Sequence, residues 1–149
     1  MPQAETGRPS RKRIILLIAT GLVLIFIFAQ SLLPQNVSAE ESGWITEKII
    51  NPFLNLFGLR SMMHGTVRKL VHIAEFAILS VLLVFCFRGK PIKGAGAGFT
   101  AAFLDESIQL LSDRGALISD VWIDLIGVAL GSLLGFLVYR AIIRRRQAS

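Results

Sequence analysis

The chain has 149 residues, room for one domain, and 53% of them are hydrophobic. A mean hydropathy of +0.62 is too high for an ordinary soluble domain of this size. The net charge of +6 does not point to nucleic acid, because no aromatic residues interleave with the basic runs and those runs flank apolar segments. A single cysteine, Cys86, excludes an internal disulfide or a cysteine metal cluster.

In chain order, residues 1–13 form a polar, basic tail. An apolar run follows at 14–33, about the 20 residues needed to cross a bilayer. Basic residues before it and Val37-Ser38-Ala39 after it resemble a signal peptide. The run is longer than the usual h-region of roughly 7–15 residues, so it reads as an uncleaved first span. Residues 44–59 are apolar with scattered polar residues and too short to span. Trp44, Phe53 and Phe57 suit the headgroup level, where an amphipathic segment lies flat, and Pro52 is expected to break or kink any helix there.

Three more spans are expected at 67–87, 92–111 and 119–143, with Cys86 a small packing residue near the end of the second. Residues 144–149 close the chain as a second basic tail. The predicted fold is therefore all-α: a polytopic membrane domain over 14–143 with four transmembrane helices and an interfacial segment between the first two. Eleven of the 16 basic residues lie before the first span, between the second and third or in the first turn of the third, or at the end of the fourth. The positive-inside rule makes that side cytoplasmic, so both termini are expected inside. Gly94, Gly96 and Gly98 open the third span, and Gly127, Gly131 and Gly135 recur every four residues in the fourth. Such spacing lets helix backbones approach closely in lipid and suggests that the third and fourth helices are tightly docked.

Against this apolar background the ionisable residues gather at one depth. His72 and Glu75 lie one to two turns into the second span. Asp105, Glu106 and Gln109 end the third, Asp120 and Asp124 begin the fourth, and Arg114 occupies the loop between them. Arg68, His72 and Glu75 share one helix face, as do Asp105 with Gln109 and Asp120 with Asp124. Asp105 and Glu106 stand about 100° apart, so one faces a pocket and the other an adjoining helix. A charged side chain costs ~2.5–3.5 kcal/mol at a span centre. Several exposed together would cost on the order of 10 kcal/mol. They must therefore point inward, lining a polar cavity near the outer surface. A purely structural ion-pair network would use the same residues, but this many acids at one depth favours a site.

The ordered set Arg68-Lys69, His72, Glu75, Phe76, then Asp105-Glu106, Gln109, Arg114, Asp120, Gly127 and Gly131 resembles the VanZ-like family of small bacterial membrane proteins. The resemblance runs roughly from residue 44 to 135. Phe76 stands where tyrosine is common, and Asp124 stands where asparagine is usual, which adds a negative charge. The family takes its name from a protein associated with low-level teicoplanin resistance. The resemblance therefore implies a bacterial cell membrane, an envelope role and a link to glycopeptide tolerance, without supplying a reaction.

Three functions compete. In the first, the cavity binds or modifies a membrane lipid or a lipid-linked envelope precursor at the outer leaflet. Arg68, Lys69 and Arg114 would hold an anionic headgroup, since the guanidinium fork suits phosphate, with Gln109 and Asp124 completing the binding set. His72, Glu75, Asp105, Glu106 and Asp120 are the candidate acids and bases. The same carboxylates are hard oxygen ligands suited to a divalent cation such as Mg²⁺, Ca²⁺ or Mn²⁺, although no established metal spacing appears. In the second, His72 and the carboxylates relay protons or cations across the membrane, against which stand the apolar inner halves of the spans. In the third, the protein is a non-catalytic envelope interaction partner.

Overall fold

The computed structural model describes residues 10–33, 40, 43–58, 60–111 and 118–148. The loop carrying Arg114 and the segment containing Val37-Ser38-Ala39 lie outside them. Among the described residues the chain is all-helical, with five α-helices: α1 (Arg11–Ser31), α2 (Asn51–Leu56), α3 (His64–Cys86), α4 (Pro91–Leu111) and α5 (Ile118–Ala148).

Three of these are long and apolar enough to cross a membrane: α1, and the stretches Gly65–Cys86 of α3 and Asp120–Gln147 of α5. Helix α4 has the same 21 residues as α1, about 31 Å at 1.5 Å per residue. Its apolarity is interrupted by Lys93, Asp105 and Glu106. It packs against α1, α3 and α5, and Asp105 is buried there rather than held in the open. Large apolar side chains cover the outer faces: Ile15, Leu22 and Ile25 on α1, Leu130, Leu133 and Leu137 on α5. An aqueous surface would not carry such continuous apolar area; a bilayer solvates it.

The glycine stripe does what its spacing predicts but against a different partner. A side chain at Gly127 would collide with the backbone oxygen of Ile73, and one at Gly131 with that of Ala77. At Gly135 it would stand 3.1 Å from Val81 Cα. All three lie on α3, so the stripe docks α5 onto α3, not onto α4 as its place in the sequence suggests. Gly94 and Gly98 of α4 likewise press on Val84 and Ser80 of α3, and Gly98 also meets Val128 of α5. Helix α3 is therefore the central post. Periodicity identifies a face that approaches something closely; it does not say what.

Pro52 stands where the helix changes type. A π-helical turn, Thr46–Ile50, leads directly into α2, and Pro52 sits in the first turn of that helix. A wider π turn moves carbonyls out of their α register, and an early helical position tolerates the missing N–H. The proline is absorbed at a junction instead of ending the segment. Asn51 fixes the segment to the chain ahead of α3: its Oδ1 accepts from Met62 N at 2.8 Å and its Nδ2 donates to Met62 O at 3.4 Å. Cys86 approaches Thr20, Sγ to Oγ1 3.4 Å, where α3 meets α1.

The buried core is a layer of Ile27, Phe76, Leu79, Ala101, Ala102 and Val128. One helical turn from it, in the same direction on each of α1, α3, α4 and α5, the side chains become polar. Ile27 gives way to Ser31, Phe76 to His72, Ala101 to Asp105, and Val128 to Asp124. Each step is four residues, hence one turn on one face. The bundle is thus sharply layered, with an apolar floor beneath a polar storey.

Candidate functional site

The polar storey is built from four helices. From α4, Asp105 is fully closed from solvent, at 0% exposure. Its Oδ1 accepts from Ser31 Oγ of α1 at 2.6 Å, and its Oδ2 accepts from Gln109 Nε2 at 2.8 Å, one turn along its own helix. The same Gln109 Nε2 stands 3.5 Å from Ser31 Oγ as a donor. The three side chains close a ring in which the amide donates, the hydroxyl accepts and donates, and the carboxylate accepts at both oxygens. Such closure fixes orientation, because each donor has one productive direction.

From α3, His72 brings Nδ1 to 3.5 Å from Asp124 Oδ1 of α5. That is long for a hydrogen bond, and Nδ1 is a buried atom with no hydrogen-bond partner among the described residues. Glu75, three residues on, turns toward α1 and accepts from Gln30 Nε2 at 3.2 Å.

Above these groups lies a cavity of about 130 Å³, room for several waters or one hydrated ion. Arg68, Lys69 and His72 of α3 line it, with Gln109 of α4 and Asp120 and Asp124 of α5. Its wall is therefore mixed: two long cations one turn above an imidazole, facing two carboxylates. Arg68 and His72 do share a face, as do Asp120 and Asp124, and the two faces confront each other across the cavity.

The pair Asp105 and Glu106 divides as helical geometry requires. Asp105 enters the bundle. Glu106 points instead to a separate, mostly apolar groove between α4 and α5, beside Phe103 and Trp122, where both its carboxylate oxygens are buried without a partner among the described residues. The structure thus brings together Arg68, Lys69, His72, Gln109, Asp120 and Asp124 around one cavity. Asp105 lies in contact with Gln109 at its edge, Glu75 turns aside toward α1, and Glu106 is on another face. Arg114 lies outside the described residues.

Two contributors were not anticipated. Gln30 and Ser31 lie near the end of α1, where the sequence offers no candidate site residue, yet they supply the partners of Glu75 and Asp105. The available signal is two adjacent polar residues near the end of the apolar run 14–33.

A helical membrane protein with a cavity lined by charged side chains toward one end of its bundle is the class that this fold and this site define. A family model described as VanZ/LLP1 matches residues 15–140, so that the match reaches into every helix and covers all of the site. The chain belongs to the VanZ/LLP1 family. No curated protein matches it, and neither does any solved structure.

Proposed function

We propose that this is a bacterial cell-envelope protein of four spans, with α4 crossing alongside α1, α3 and α5, whose cavity opens to the outer face and binds or modifies the anionic headgroup of a lipid or lipid-linked precursor. The observation that carries the reading is the cavity wall: Arg68 and Lys69 share it with His72, Asp120 and Asp124. A pair of cations attracts phosphate-bearing groups, and His72 and Asp120, two of the acid and base candidates, line the same cavity. The charge distribution supports cytoplasmic termini, with the segment of Trp44, Phe53 and Phe57, all exposed, lying at the outer headgroup level. The family's name supports a contribution to glycopeptide tolerance, teicoplanin included. The apolar floor of Phe76, Leu79 and Val128 weighs against a continuous path for ions.

Native mass spectrometry of the purified protein in mixed anionic and zwitterionic lipid tests the binding step. Anionic lipid should be retained preferentially, and Arg68→Gln with Lys69→Gln should abolish the preference. A paired measurement in cells tests the site: Asp120→Asn removes charge and little volume, so it should leave membrane abundance intact while reducing teicoplanin tolerance. Equal lipid retention by wild type and the double variant, or tolerance that falls only in step with abundance, would overturn the proposal. Turnover of the retained lipid by pure protein separates modification from binding.

A further inference from the structure

Beneath the cavity, three helices bring one imidazole and two carboxylates to a point. One available ligand atom from each of His72, Asp105 and Asp124 lies within 4.8 Å of the other two. Ligands held about 2.0–2.2 Å from a single ion stand roughly 3–4.2 Å apart, so the cluster needs little contraction to become a coordination sphere. The 3.5 Å between His72 Nδ1 and Asp124 Oδ1 already equals the separation of two ligands about 2.1 Å from an ion, near the tetrahedral angle.

Three further observations point to a cation rather than to a self-sufficient ion-pair network. Asp105 and Asp124 are 0% and 2% exposed, and carboxylates paired in such surroundings repel unless a proton or a cation stands between them. The nitrogen facing Asp124 is buried and makes no hydrogen bond among the described residues; an ion between nitrogen and oxygen would satisfy both. Finally, Asp105 is held at both oxygens by Ser31 and Gln109, the outer shell of hydrogen bonds that orients metal-ligating carboxylates.

We infer that His72, Asp105 and Asp124 together form a binding site for one divalent transition-metal ion of the zinc or manganese class. The mixed nitrogen and oxygen donor set favours these over Mg²⁺ or Ca²⁺, which take oxygen ligands. His72 and Asp124 also line the cavity, so the remaining coordination positions open beneath Arg68 and Lys69, where an anionic oxygen from a headgroup completes the sphere. That last role rests on the cavity reading above; the ion itself does not.

The test uses tag-free, full-length protein in detergent, stripped with chelator and dialysed against Zn²⁺ or Mn²⁺. Wild type should bind one ion per chain of at least one of the two, in the presence of excess Mg²⁺. Asp124→Asn and His72→Gln should each weaken binding tenfold or more, whereas Ser107→Ala, in the groove on the other side of α4, should not. Sub-stoichiometric binding of both metals by wild type, or unchanged affinity in both variants, overturns the inference. Should the variants fail to fold, the wild-type protein loaded with Co²⁺ decides: visible absorption bands of a nitrogen and oxygen site support it, and their absence refutes it. Anionic-lipid retention is measured on the same samples. Retention without metal binding removes the ion and leaves the cavity reading standing; metal binding without retention does the reverse.

Discussion

Gly131→Ala adds one methyl group at the tightest point between α3 and α5. The new Cβ would stand 2.6 Å from Ala77 Cα and 2.7 Å from its carbonyl carbon, where carbon atoms in contact want about 3.5–4.0 Å. The obstruction is backbone, which has no rotamer to turn away, so the helices must part locally by about 1 Å. Overpacking of this kind costs ~1–3 kcal/mol, and the upper part of that range applies because Gly127 and Gly135 hold the same interface on either side. Alanine's better helix propensity returns about 1 kcal/mol, leaving a net loss of about 1–2 kcal/mol. Gly96→Ala is the matched control: nothing lies within 4 Å of its added Cβ, so it should gain roughly what Gly131→Ala gains from propensity and lose nothing. Thermal unfolding in detergent, followed by the surviving monodisperse fraction, should rank Gly96→Ala above wild type and Gly131→Ala below it. If Gly131→Ala melts at or above Gly96→Ala, close approach of α3 and α5 is not what the stripe provides.

Ser31→Ala deletes the hydroxyl that donates to Asp105 at 2.6 Å and leaves a fully buried carboxylate oxygen short of a donor, a loss of about 1–3 kcal/mol; a melting temperature equal to wild type would show that Ser31 is incidental. Topology is checked with single cysteines in a Cys86→Ser background. Arg60→Cys should react with an impermeant thiol reagent applied outside intact cells and Lys90→Cys should not, and the opposite pattern would invert the proposed orientation.

Which parts of this molecule can be read from its sequence follows from what each pattern encodes. Hydrophobic length placed the helices well: runs expected at 67–87 and 92–111 correspond to His64–Cys86 and Pro91–Leu111. The last helix extends from 118 to 148 where a span was expected to stop at 143, because apolarity marks where lipid ends and not where hydrogen bonding ends. Arg144, Arg145 and Arg146 are good helix formers, and they carry α5 beyond its apolar part. The depth of the ionisable residues was legible, since helical rise converts position into height. Their neighbours were less so. Spacing put Asp120 and Asp124 on one face, but only the packing of α5 against α3 sets Asp124 opposite His72. Gln30 and Ser31 were not legible as site residues because two uncharged polar residues leave the run apolar enough to span, yet inside the bundle Gln30 holds Glu75 and Ser31 holds Asp105.

The apolar floor has a consequence for energetics across the membrane. A transmembrane voltage falls mainly through the part of a protein that water and ions do not enter, and Ile27, Phe76, Leu79, Ala102 and Val128 form such an insulating plug. A full crossing at 100 mV is worth about 2.3 kcal/mol per elementary charge. In the proposed orientation, a charged group that reaches His72 from outside has traversed only the wetted fraction above the plug and feels a small share of that energy. Occupancy of the cavity should therefore be nearly the same in energised and depolarised cells, which allows an envelope protein to keep its hold on an anionic ligand when the membrane potential collapses.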